Sequence, residues 1–188
     1  MKFVEVVLPL PIKGTFTYVV PPDREQDVRI GMRVVVQFGA KKLYTGIIAL
    51  IHTHEPAGYK PREISCLLDT YPIIRRPQYT FWEWISDYYM CSIGEVYNAA
   101  LPAGFKLQSE TEVFLNPDFE AEEVLPAREQ ALLDLLTVGK AFQLDELGRK
   151  LSVGNVMPLV KRLLERGALT VQEMVEQKFR VKSVSCVR

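Results

Sequence analysis

Histidine and cysteine are scarce in this sequence, and long apolar runs are missing altogether. The only histidines are His52 and His54, two apart at the end of an apolar stretch. A metal site needs further ligands, and none stands near them in sequence. The three cysteines, Cys66, Cys91 and Cys186, are odd in number and far apart, with no Cys-x-x-Cys pair. That is neither a disulfide framework nor a local zinc site. No apolar run reaches the roughly 18–20 residues of a membrane span. At the start, Glu5 interrupts the apolar stretch and Pro9 and Pro11 end it, which argues against a signal peptide. A cytoplasmic location is the expectation.

Catalytic signatures are missing too. A phosphate-binding loop needs Gly-x-x-x-x-Gly-Lys-Ser/Thr, because backbone amides, a lysine and a metal-bound hydroxyl must converge. The nearest string, Val138-Gly-Lys-Ala141, lacks the first glycine and the hydroxyl. No Gly-x-Ser-x-Gly occurs. Acids are scattered, and no pair stands out for acid–base work. No catalytic residue, metal ligand or cofactor is therefore assigned to this chain, and a binding role is expected.

The 188 residues carry no net charge, so global charge gives no hint of nucleic acid. Its distribution is uneven. Residues 1–105 hold 11 Lys/Arg and 10 Asp/Glu, residues 106–125 one and six, and residues 126–188 11 and seven. The acidic stretch 106–125, with a strand-like Glu112–Leu115 inside it, reads as a linker between two folded units.

The first unit reads as short strands with turns. Phe3–Leu8, Thr15–Val20, Arg33–Phe38, Leu43–His52 and Ile64–Leu68 are the candidates, separated by Pro- and Gly-containing loops. Five short strands at this spacing suggest a small barrel or rolled sheet. Helical spacing follows: Phe81, Ile85 and Tyr88 recur on one face of Gln78–Met90, with Trp82 and Tyr89 beside them, and Gly94–Leu101 forms a shorter helix. The second unit offers helices over Arg128–Thr137, around Leu144, Leu147 and Leu151, and from near Asn155 to Gly167. Leu169–Val175 and Lys178–Ser185 then read as a hairpin. Three helices followed by a hairpin is the order of a winged helix. The fold class is α+β: a small β-barrel-like domain with helical additions over 1–105, the linker 106–125, and a winged-helix domain over 126–188.

Phe16-Thr17-Tyr18 places two aromatics on one side of a strand. They serve either as core or as a stacking shelf for bases, which any base can use. Lys13, Lys41, Lys42, Lys60 and Arg62 fall in loops of the same unit, where phosphates are in reach. In the second unit Lys161, Arg162 and Arg166 lie opposite the apolar stripe of the third helix. Such a helix can enter a major groove, or be a solvated face. Arg180 and Lys182 alternate on the last strand. Neither pattern separates DNA binding from protein docking.

Six strings in order carry a resemblance. They are Leu8-Pro-Leu-Pro11 with Thr15-Phe-Thr-Tyr18 and Pro21; Gly31-Met-Arg-Val-Val-Val36 with Phe38-Gly39; Gly46-Ile-Ile48; Leu67-Leu-Asp69; Asp87-Tyr-Tyr89; and Ile93-Gly-Glu-Val96 with Ala100-Leu-Pro102. Through these the first ~105 residues resemble the 3′-DNA-end-binding domain of the primosomal protein N′ (PriA) family of replication-restart helicases. The family places a winged helix next.

The resemblance implies recognition of the 3′ end of a nascent strand at a stalled or branched fork, by the front of a longer ATP-driven 3′→5′ helicase. ATP, Mg and Zn belong to that longer protein. Forked or 3′-ended DNA is the implied partner, with single-strand binding protein and other primosome proteins as further ones. An adapter docking such proteins is the rival function. By the same resemblance the end-binding pocket falls on Phe16, Thr17, Tyr18, Gly39 and Arg62, with Lys60 as the alternative base. Three positions depart from the family pattern. Thr17 stands where some members have Asp for the terminal base, and Gln37 and Ser92 stand where proline is frequent.

Overall fold

The computed structural model describes residues 1–119, 121 and 124–171. The first unit is built on five strands: β1 (Lys2–Val7), β2 (Phe16–Val20), β3 (Arg33–Phe38), β4 (Lys42–His52) and β5 (Cys66–Leu67). Their order in the sheet is β2-β1-β4-β3-β5, and the strand pairs are all antiparallel. The sheet curls on itself. Val19 N donates to the Arg62 carbonyl (2.8 Å), and Ile64 N donates back to the Val19 carbonyl (3.0 Å). At the next residue, Ser65 N donates to Val35 O (2.8 Å). The segment before β5 thus bridges β2, at one end of the sheet, and β3, the strand next to the other end. A shift in register between Glu5 and Val6 adds the local twist that curling needs.

Alternation explains which side chains fill the barrel. Val4, Val6, Tyr18, Val20, Val34, Val36 and Ile48 point inward to one buried cluster. Val7, Ile47 and Ala49 point outward and are covered by α1 (Arg76–Tyr89) and α2 (Ile93–Ala100). The consecutive valines 34, 35 and 36 are all buried because β3 is covered on both faces. Helix α2 starts where Ser92 and Glu95 cap each other: the Ser92 side chain accepts from Glu95 N (3.3 Å), and Glu95 Oε2 accepts from Ser92 N (2.8 Å). A serine replacing the frequent proline therefore has a local job.

The buried face of α1 is only partly the expected one: Ile85 packs against the cluster beneath the helix, but Phe81 and Tyr88 do not. Tyr79 and Trp82 are buried instead, while Phe81, Trp84, Tyr88 and Tyr89 are exposed. Both stripes satisfy helical spacing. Packing decides between them, because Trp82 stacks on fully buried Tyr97 of α2 (centroids 5.8 Å apart).

The second unit contains β6 (Glu112–Leu115), α3 (Ala127–Asp134), β7 (Phe142–Gln143), α4 (Leu144–Lys150), α5 (Met157–Glu165) and β8 (Leu169–Val171), with sheet order β7-β6-β8. The stretch expected as an acidic linker is built into the fold. Leu107 is fully buried, β6 is the central strand of the second sheet, and Thr45 N donates to Leu107 O (2.9 Å). Residues 107–109 lie beside the start of β4, where β1 no longer pairs with it. Barrel residues Val35 and Leu68 join the same buried cluster as Leu132, Leu147, Met157 and Leu163. The outer strand expected over 178–185, with Arg180 and Lys182, lies outside the described residues.

Among the described residues no helix is long and apolar enough to cross a membrane.

Candidate nucleic-acid interface

The β3–β4 turn, the edge of β2 and the loop before β5 enclose a groove of about 640 Å³. Its lining includes Phe16, Thr17, Tyr18, Gly39, Lys60 and Arg62, so the structure brings together every residue nominated for the end pocket. Gln37, Phe38, Ala40, Tyr59 and Pro61 complete it. Gln37 and Phe38 belong to a string that carries the resemblance but were not nominated for the pocket, and Ala40, Tyr59 and Pro61 directly flank nominated residues.

The rings of Phe16 and Tyr18 form a wall rather than an open shelf. Phe16 meets Phe38 edge-on at 4.7 Å. Tyr18 is only 4% exposed, and its hydroxyl donates to the Gln37 carbonyl (3.1 Å). Burial pushes the Tyr18 phenol up to about 12, with the positive charge of Arg62 working the other way. The phenol therefore stays neutral and keeps its donor role.

Thr17 is divided between two faces. Val19 uses its N–H and C=O on the edge facing residues 62–64. Strand groups repeat with period two, so Thr17 turns its main-chain N–H and C=O to that same edge, into the groove. Its hydroxyl donates instead to Glu5 Oε1 on β1 (2.7 Å). A hydroxyl has one proton, so only lone pairs remain. Glu5 also accepts from Thr15 (2.6 Å) and contacts His52 Nε2 (3.1 Å). Burial acts to raise the Glu5 carboxyl, but the hydrogen bonds from Thr15, Thr17 and His52 hold it below its usual value. Thus His52, at the end of β4, belongs to a polar cluster beside the groove.

Gly39 has φ +72° with open space around its missing side chain. Glycine is required there by backbone conformation, not by crowding. Its carbonyl accepts from Arg62 Nη1 (2.8 Å). Lys60 is exposed on the same rim.

The bases of α5 do not form the free face expected of them. Lys161, 19% exposed, turns toward the barrel, donating to Leu68 O and lying 3.4 Å from Asp69 and from Glu165. Arg162 donates to Glu129 Oε1 (2.8 Å), and Arg166 lies 3.5 Å from Glu129 Oε2. The Glu129 side chain is 2% exposed. A buried carboxylate needs such partners, and the two arginines supply them. Asp69 in turn accepts from Arg33 Nε (3.0 Å) and Nη2 (2.6 Å), and the Arg33 guanidinium lies 4.7 Å from the Phe105 ring centre.

A third feature had a visible signal that sequence reading misassigned. Phe81 stacks on Trp84 (5.9 Å) and Trp84 on Tyr88 (5.1 Å), with Tyr89 edge-on to Tyr88 (5.0 Å). These exposed rings form a ladder along α1.

Comparison with known proteins agrees with this architecture. The family described as the PriA 3′DNA-binding domain (3′BD) matches residues 5–102, and a winged helix domain family matches residues 110–174. The chain is 25% identical over 187 residues to the replication restart protein PriA of Bacillus subtilis (strain 168), covering 98% of this chain and 22% of that protein. It is 32% identical over 102 residues to the replication restart protein PriA of Haemophilus influenzae, covering 54% and 14%. Its identity to that of Buchnera aphidicola subsp. Acyrthosiphon pisum is 33% over 105 residues, covering 54% and 14%. The chain therefore spans under a quarter of the length of these relatives. It belongs to the PriA 3′DNA-binding domain family, and a winged helix domain follows in the same chain.

Proposed function

We propose that this chain holds the 3′ end of a nascent DNA strand at a stalled or branched replication fork. The observation that carries this is the convergence of Phe16, Thr17, Tyr18, Gly39 and Arg62 on one groove. The aromatic wall bounds a base and sugar. The Thr17 main chain offers one donor and one acceptor to the terminal nucleotide. Arg62 meets a phosphate with donors left over from its bond to Gly39. Such contacts read the end of a strand and not its sequence. The test compares 3′-hydroxyl forks with 3′-phosphorylated forks by fluorescence anisotropy; tighter binding of the hydroxyl form is expected, and equal affinities would remove end recognition.

By family resemblance the function is exercised in the cytoplasm within a longer ATP-driven helicase, which also uses Mg and Zn. Chemistry on ATP belongs to that protein, and this chain acts as a binder. The exposed ladder of Phe81, Trp84 and Tyr88 favours a second, compatible role: docking single-strand binding protein or another primosome protein. Salt separates the two, because binding through several phosphates falls steeply as salt rises, whereas docking on rings changes little.

A further inference from the structure

We propose that the strand whose end occupies the groove leaves it over the β3–β4 turn and enters a second cavity, where Lys41 and Arg149 hold its phosphates. The path rests on the end-binding function proposed above. It adds the direction of the strand and the part of the second unit that meets it.

The second cavity measures about 410 Å³ and lies between the barrel and the turn joining α4 to α5. Its lining includes Lys41, Ser109, Arg149, Ser152, Gly154 and Asn155. Gly39 and Ala40 line the end groove, and the next residue, Lys41, lines this cavity. Consecutive Cα atoms are about 3.8 Å apart, so a single turn separates the two hollows. A strand running from one to the other has only the turn to cross.

The chemistry of the cavity suits phosphodiesters. Lys41 is exposed and makes no ion pair or side-chain hydrogen bond among the described residues. Its neighbour Lys42 is held by Glu110 (2.5 Å). Arg149 is 75% exposed; its Nε donates to the Asp145 carbonyl (3.2 Å) and its Nη2 lies 3.4 Å from the Asp145 carboxylate, the one carboxylate lining the cavity among the described residues. Most of its five donors remain available. The Ser109 oxygen accepts from Leu43 N (2.9 Å) and keeps its proton to donate. The main-chain N–H groups of Gly154 and Asn155 have no partner among the described residues. By contrast, the three bases of α5 are engaged with Asp69, Glu129 and Glu165. Of the second unit's basic side chains, Arg149 is the one that lines this cavity, beside the turn that borders the end groove.

The test uses the whole 188-residue chain with 5′-labelled, 3′-hydroxyl oligonucleotides of about three and about twelve nucleotides, long enough in the second case to reach past the turn. Lys41→Ala and Arg149→Ala are each expected to weaken the longer strand about three- to tenfold and the shorter one less than about twofold. Each should also flatten the log–log salt slope for the longer strand by about 0.7, one phosphate's worth for single-stranded DNA. Arg149→Lys keeps the charge and should retain binding. Arg62→Ala should weaken both lengths. Equal losses at both lengths would overturn the path by placing these residues in the end groove. No loss with the longer strand, while Arg62→Ala still weakens both, would overturn it by sending the strand elsewhere. If Arg62→Ala weakens neither length and 3′-phosphorylation makes no difference, the end-binding function falls, and the path with it.

Discussion

Arg62 donates from Nη1 to the Gly39 carbonyl at 2.8 Å, spanning from the loop before β5 to the β3–β4 turn. The guanidinium is thereby oriented before any ligand arrives. Hydrogen bonds to charged groups contribute about 1.5–3 kcal/mol. Arg62→Ala should therefore weaken binding of 3′-ended DNA by roughly tenfold or more, and Lys13→Ala by less. Anisotropy titrations of the two variants check the order.

Asp69 joins Arg33 at 2.6 Å, with both side chains 5% exposed. Burial acts to raise the Asp69 carboxyl, but hydrogen bonds and charge from Arg33, helped by Lys161, hold it below its usual value. A depressed carboxyl contributes stability that is present above its unfolded value, about 3.9, and lost as pH falls through the lower folded value. Asp69→Asn should destabilise the chain by about 3–5 kcal/mol near neutral pH, since it leaves a buried guanidinium unpaired. Urea melts of wild type and variant should converge as pH drops below about 4.

Gly94 sits at the start of α2, against the loop after β1. A Cβ there would lie 2.2 Å from the Leu10 carbonyl oxygen and 2.4 Å from that of Leu8. Both obstacles are backbone, so the helix must move. Gly94→Ala should lose about 1–3 kcal/mol, a typical overpacking penalty, visible as a lower Tm. Gly39→Ala meets no such contact and should be destabilised only by its positive φ.

Glu129 is a buried carboxylate whose Oε2 has no hydrogen bond among the described residues. Buried ion pairs contribute little compared with an apolar side chain of similar volume. Arg162 and Arg166 are 54% and 44% exposed and can turn to water, so Glu129→Leu leaves no buried charge and should stay within about 1 kcal/mol of wild type, whereas Glu129→Ala should lose about 2 kcal/mol by leaving a hole. Both variants release Arg162 and Arg166. Weak, salt-sensitive DNA binding should rise in both, which a titration at two ionic strengths would detect.

The barrel strands were legible because β-branched and aromatic residues alternate between turn residues, as in Thr15–Val20. The third helix of the second unit was legible from its apolar spacing, whereas the grouping of residues 16–18, 39 and 62 came from the family resemblance and not from their spacing. What escaped depends on distant partners. The face of α1 was misassigned because two aromatic stripes have the same period, and only contact with Tyr97 selects one. Lys161 and Arg162 look free in sequence, since Asp69 and Glu129 are 92 and 33 residues away from their partners by number. Glu112–Leu115 is strand-like in sequence and forms β6, but the stretch around it looks like a linker because its pairing with β4, β7 and β8 depends on distant partners.

The hydrogen bonds that close the barrel have a consequence for how binding is felt. Arg62 takes part twice: its carbonyl accepts from Val19, and its side chain reaches Gly39. A ligand gripping the guanidinium also tightens the clasp between β2 and the loop. Part of the binding free energy is then stored as resistance to opening of that clasp. Amide hydrogen exchange at Val19 and Ile64 would slow when the groove fills, although neither residue needs to touch the DNA.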